Sequence, residues 1–196
     1  MPSQIFVTPS VYSRVESSLT RGSKPIAANF PFLKVCEINT IIALTPISIY
    51  EKEDDDLIKF IQDNSIKYYH FATDSSVKNK GKNRQIPITH EQVNKILSII
   101  LMKNSGNIYI YCNNGGQITS LVIACLRKLQ LWSNVSIFDE FICYSESANH
   151  NDRSFVEQFI PNIEINRSEK IEWLWRGLNE SVILNHPSLK QIVFVE

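Results

Sequence analysis

The sequence predicts an α/β protein with a central, largely parallel sheet flanked by helices. Three observations carry this. The short β-branched and aromatic runs Thr40 to Leu44 and Asn107 to Tyr111 end in turn-forming residues and read as buried strands. Helical periodicity fills the stretches around them. A length of 196 residues, with 43% hydrophobic and 20% charged residues and only 6 Gly and 8 Pro, fits a packed domain of ordinary size.

In chain order, Asp54, Asp55 and Asp56 open a helix bearing Leu57, Phe60 and Ile61, because carboxylates favour the positive end of the helix dipole. Ile66 to Phe71 reads as a third strand. Thr89 and Gln92 form a capping box for the next helix, whose Val93, Ile96, Leu97, Ile100 and Leu101 share one face. After Tyr111 and a polar turn, Ile118, Leu121, Val122, Cys125, Leu126 and Leu129 define the stripe of a central buried helix. Ser120, Arg127, Lys128 and Gln130 fall outside that stripe. Ser133 to Tyr144 brings Val135, Phe138, Phe141 and Ile142 to one side, and Asp152 caps a short helix that runs through Phe159 and is ended by Pro161. The tail from Ser168 offers one more helix, containing Trp173, Trp175 and Leu178, and an apolar end from Ile192 to Val195. The expected division is a domain over 1–165 and an extension over 166–196, packed on that domain or on a partner.

Lys and Arg total 20 and Asp and Glu total 20, so no global field draws nucleic acid or an anionic membrane, and any anion site is local. Cys36, Cys112, Cys125 and Cys143 are widely spaced, with no CxxC pair and no Cys/His cluster of ligand spacing. No metal site and no cofactor is expected. The start of the chain lacks a basic segment followed by an apolar one, and no run of ~18 apolar residues occurs. The expected location is the cytoplasm, where the cysteines stay thiols.

The chemistry concentrates in a strand, a cysteine, a glycine turn and a helix: IYIYCNNGGQITSLVIACL. The unpaired N–H groups of such a turn and of the first helical turn converge on one point, where the helix dipole adds positive potential. That field favours a thiolate, making Cys112 a candidate nucleophile; the competing reading is a buried structural cysteine at a strand end. Asn113, Asn114, Gly115, Gly116, Gln117, Ile118 and Thr119 would form the anion loop. Asp74, in the ATDSS segment, is the candidate general acid, or else a turn-former with Ser75 and Ser76. Lys78, Lys80, Lys82 and Arg84 are either anion-binding cations or a solvated surface run.

The loop resembles the His-Cys-x5-Arg-Thr/Ser signature of cysteine-dependent tyrosine and dual-specificity phosphatases. Cys112 matches the nucleophile, Gly115 the loop glycine and Thr119 the hydroxyl after the arginine. The segments ANFPFLK, IIALTP, NSIKYYHF and above all ACLRKLQLWSNVSIFDEF are similar to the plant and fungal atypical dual-specificity phosphatases. That branch includes enzymes acting on inositol pyrophosphates and the fungal oxidant-induced cell-cycle arrest group, which the chain resembles most in length and loop.

Four positions depart from the pattern: Ile118 stands where the arginine belongs, Tyr111 replaces the histidine, and Gly116 with Gln117 replaces a Lys-His pair. The arginine's bidentate fork is worth on the order of 10³ to 10⁵ in rate in comparable phosphoryl transfers, and isoleucine offers phosphate nothing. Ile118 also starts the apolar stripe, which would turn its side chain into the core. The expected function is a phosphatase-like binding or regulatory subunit assembled with related phosphatase-family proteins, its ligand a phosphorylated group or an inositol phosphate. The alternatives are a weak phosphatase using Cys112, with Arg84 or a partner's residue supplying the cation, and a thiol redox sensor.

Overall fold

A computed structural model of the protein describes residues 6–78, 81 and 83–196. In chain order the elements are β1 (Ser13–Glu16), β2 (Leu19–Ser23), α1 (Phe30–Val35), β3 (Ile38–Thr45), α2 (Asp55–Asp63), β4 (Lys67–Ala72) and α3 (His90–Ile100). There follow β5 (Asn107–Cys112), α4 (Gln117–Leu129), α5 (Asn134–Ser145), α6 (His150–Gln158), β6 (Glu164–Asn166), α7 (Glu180–Asn185) and β7 (Val193–Val195). The residues fall into two units, one running through Thr73 and joined by Gly106–Thr119, the other made of Asp74–Ser105 and Ser120–Glu196.

The first unit contains a five-stranded sheet in the order β1-β2-β5-β3-β4, antiparallel only between β1 and β2. The two predicted runs are its central strands, apolar after their first residues because a central parallel strand is buried on both faces. On one face Ile41, Ala43, Tyr109 and Tyr111 share a core with Leu33 of α1 and Leu57, Phe60 and Ile61 of α2. The rings of Phe30 and Phe60 stack there, 4.5 Å between centroids. Side chains alternate along a strand, so Ile110 and Cys112 occupy the opposite face. The acidic run acts as predicted: the Asp54 carboxylate accepts the Leu57 N–H, and Asp55 and Asp56 lie in the first turn of α2.

The hairpin of β1 and β2 has no counterpart in the apolar pattern. Every residue of β2 is buried although its sequence is LTRGS. Polar groups survive there by bonding; Thr20 Oγ1, for example, donates to the Ile108 carbonyl at 2.9 Å.

In the second unit the capping box of α3 forms as read, with Thr89 and Gln92 exchanging bonds of 3.0 and 3.2 Å. Other expectations are corrected. Ser120 and Arg127 of α4 are buried with the stripe, the Arg127 guanidinium gripping both oxygens of Glu140 at 2.8 and 2.9 Å. In α5 the buried face is Ile137, Phe138, Phe141 and Ser145; Val135 and Ile142 lie roughly a quarter turn round the helix and are exposed. Asn149, not Asp152, is the N-cap of α6, and Asp152 returns the bond from the third helical position. No helix spans the tryptophans, because Trp175 and Gly177 have φ of 56° and 81°, left-handed values a right-handed helix cannot contain. The helix of the tail is α7 instead. β6 and β7 pair in parallel, and Trp175 is buried with Nε1 donating to the Leu129 carbonyl at 2.8 Å.

Among the described residues no helix is long and apolar enough to cross a membrane, and no three His, Cys, Asp or Glu side chains group as metal ligands.

Candidate active site: a cysteine loop at the end of the central strand

β5 ends at Cys112 and α4 begins at Gln117, so residues 113–116 make the whole turn. Cys112 is registered between Ser23 of β2 and Leu44 of β3 and is 1% exposed. The turn needs its first glycine. Gly115 has φ of 71°, and a Cβ there would lie 2.7 Å from the carbonyl carbon of Gly22 and 2.8 Å from the nitrogen of Ser23. Its N–H donates to the Cys112 carbonyl at 3.3 Å, and the Lys24 N–H donates to the Asn113 carbonyl at 3.4 Å.

Beneath the turn lies a residue that sequence reasoning missed. Arg21 of β2, 1% exposed, donates from Nη2 to the Gly115 carbonyl at 2.9 Å. The available signal was a cation within the short segment LTRGS, and it is legible only once that segment is known to be a buried strand.

Above the turn, Asn114 Oδ1 accepts the Gly116 N–H at 3.1 Å and the Cys112 thiol at 3.5 Å. One oxygen thus rests on a loop donor and on the sulfur together. Thr119, in the first turn of α4, is fully buried, and its Oγ1 has no hydrogen-bond partner among the described residues. Ile118 is half-buried, as is Gln117, so the expectation that Ile118 enters the core is corrected; the buried stripe of α4 starts at Thr119. Tyr111 points to the α1 and α2 face, away from Cys112, and burial pushes its phenol above the usual range.

The remaining candidates belong to the second unit. Asp74 is exposed, and its carboxylate accepts the N–H and hydroxyl of Ser76 at 2.8 and 2.6 Å. These bonds hold it below the usual carboxylate range, the wrong direction for a proton donor. Of its two readings, the turn is the one its geometry matches. Lys78 is exposed, its backbone carbonyl accepting the Gln85 N–H at 2.7 Å. Lys80 and Lys82 lie outside the described residues. Arg84 is 8% exposed, and its guanidinium is committed to Asp152 at 2.6 Å and to Ser147. A guanidinium held this way is an anchor, not an open anion site.

A thiol ending a central parallel strand, a glycine turn and a helix N-terminus together define the cysteine-dependent phosphatase class. The chain belongs to the tyrosine phosphatase family: the model described as "Tyrosine phosphatase family" matches residues 6–177. The "Putative tyrosine-protein phosphatase OCA6" of Saccharomyces cerevisiae is 35% identical over 178 residues, covering 86% of this chain and 79% of the yeast protein. "Inositol diphosphatase DSP2" of Oryza sativa subsp. japonica is 31% identical over 156 residues, covering 79% of this chain and 72% of the rice protein. The crystal structure of the core catalytic domain of the S. cerevisiae PP-IP phosphatase SIW14 matches with a TM-score of 0.68 at 30% identity, covering 79% of this chain and 88% of that one. The family resemblance and the α/β fold class read from the sequence both hold.

Proposed function

We propose that this protein is a phosphatase-family binding subunit whose Cys112 loop receives a phosphorylated group but hydrolyses it slowly or not at all, and that it works in a complex with catalytically complete relatives. The observation that carries this reading is Ile118. It occupies the arginine position of the Cys-x5-Arg pattern, on the first turn of α4, and its half-buried aliphatic side chain brings no charge to an oxyanion. The exposed, turn-bound Asp74 adds to it, since no raised carboxylate is at hand in that segment to protonate a leaving oxygen. The names of the rice and yeast relatives point to phosphotyrosine or an inositol pyrophosphate as the ligand class.

The second reading, a weak phosphatase, draws on the retained thiol and the bonded turn around it. A redox sensor is the third reading, and it too needs access to a thiol that is 1% exposed.

Phosphate release from p-nitrophenyl phosphate, a phosphotyrosine peptide and an inositol pyrophosphate separates the first two. The expected result is no release by the wild type above that of Cys112→Ser, and release by Ile118→Arg that is lost again in the double variant. Wild-type turnover abolished by Cys112→Ser favours the weak enzyme. Recovery of the tagged protein from its source cells as a lone monomer counts against the subunit role.

A further inference from the structure

We infer that Arg21 is a positioning residue for the Cys112 loop: from beneath the turn it orients the Gly115–Gly116 peptide so that the loop still receives an oxyanion although position 118 carries no guanidinium. The inference rests on the reading of this loop as an anion receptor and adds the residue that keeps it one.

The carbonyl of Gly115 and the N–H of Gly116 belong to the same trans unit, so they point in opposite directions. Arg21 Nη2 fixes the carbonyl from below at 2.9 Å. The N–H on the far side is thereby aimed at the oxygen it meets, Asn114 Oδ1, at 3.1 Å. That same oxygen lies 3.5 Å from Cys112 Sγ. An oxygen held by a loop N–H and in contact with the sulfur marks the place an oxyanion's oxygen would take.

Sheet register explains why position 21 can do this. Arg21 pairs with Ile110, and Ser23 with Cys112, so Arg21 projects from the face that carries the thiol, two residues further down. The next cation along the chain, Lys24, follows Ser23 and by alternation turns to the other face, where its ammonium pairs with Asp54. The charge on Arg21 also acts through the peptide it holds: a cation on the carbonyl polarises the unit and strengthens its N–H as a donor. A guanidinium that is 1% exposed is costly to bury, and its bond to the Gly115 carbonyl offsets part of that cost.

The test is tungstate binding to the ¹⁵N-labelled full chain, followed at the amides of Gly115 and Gly116. The wild type should show a saturable shift of the Gly116 amide. Arg21→Gln should start with that amide already displaced and bind tungstate at least tenfold more weakly, with Arg21→Lys in between. Wild-type affinity in a folded Arg21→Gln overturns the positioning role and leaves the anion-receptor reading standing. No shift at Gly116 in the wild type overturns both. Should Arg21→Gln fail to fold, the wild type itself decides: the Arg21 guanidinium resonances must move on the same saturation curve as Gly116, and resonances that stay still overturn the inference.

Discussion

The guanidinium of Arg84 lies 2.6 Å from a carboxylate oxygen of Asp152, a side chain with no solvent exposure, 68 positions further along the chain. Arg84 Nη1 also donates to Ser147 Oγ at 3.2 Å, and its own carbonyl accepts the side-chain amides of Asn149 and Asn151 at 2.8 and 2.9 Å. The segment before α3 is therefore clamped to the start of α6 through one residue. Because the second partner of the Asp152 carboxylate is the Asn149 N–H at 2.9 Å, the clamp and the helix cap share an oxygen.

Arg84→Met should destabilise the protein by about 3–5 kcal/mol, because it strands a fully buried carboxylate. Arg84→Met with Asp152→Leu should recover most of that loss, since removing both charges also removes the cost of burying them. Urea denaturation of the two variants checks this; equal destabilisation by both would show that the hydrogen bonds, and not the unpaired charge, carry the effect.

Gly115→Ala should be far more damaging than Gly177→Ala, although both glycines have positive φ, 71° and 81°. Left-handed backbone costs a side chain of alanine size about 1–2 kcal/mol at either position. At Gly177 nothing lies within 4 Å of the added carbon, whereas at Gly115 it would meet backbone atoms of Gly22 and Ser23 at 2.7 and 2.8 Å. The excess loss should appear in the urea midpoint of Gly115→Ala, together with loss of any tungstate-induced shift in the loop amides. Similar midpoints for the two variants would mean that the β2 end yields easily.

The central strands, the capped helices and the cysteine loop were legible because apolar period, caps and one motif all report local rules. What escaped has a common cause. β2 is a buried strand written in Thr, Arg, Gly and Ser, so its burial follows from bonds to residues about ninety positions away and not from its own pattern. Arg84 sits in a run of cations whose default fate is solvent, and only the distant Asp152 makes it a buried anchor. Ile118 fits the helical stripe by spacing, yet the first turn of α4 leaves it half-exposed, since the stripe gives phase and not depth. The tail misled because Trp173, Trp175 and Leu178 have no helical backbone to share once Trp175 and Gly177 turn left-handed.

Trp175→Phe should cost about 1–3 kcal/mol while leaving the loop untouched. The indole Nε1 donates to the Leu129 carbonyl at 2.8 Å, at the last residue of α4, where the helix itself leaves carbonyls unpaired. Phenylalanine keeps much of the packing against Phe194, whose ring lies 6.1 Å away, but leaves that buried acceptor without its donor. Thermal unfolding measures the loss, and an unchanged loop amide spectrum shows that it is confined to the second unit.

Alkaline pH should unfold the protein through its buried phenols. Burial pushes Tyr109 and Tyr111 well above the usual tyrosine range, and Tyr12 is raised to about 12 by burial and its bond to Cys36. Below about pH 10 the folded and unfolded chains both keep these protons, so stability does not depend on them. Above it the unfolded chain releases protons that the folded chain retains, and stability falls as pH rises toward the folded values. Urea midpoints should begin to fall near pH 9, where the unfolded chain ionises the thiol that burial holds protonated at Cys125, and should drop more steeply past about pH 10 as the phenols add the same sign. Tyr111→Phe should flatten the drop while removing its interaction with the Tyr68 hydroxyl. Tyr109→Phe should flatten it too, but at a cost of about 0.5–1.5 kcal/mol at neutral pH, because Tyr109 donates to the Ser23 carbonyl at 2.6 Å beside the loop. A slope unchanged in both variants would assign the alkaline transition to other groups.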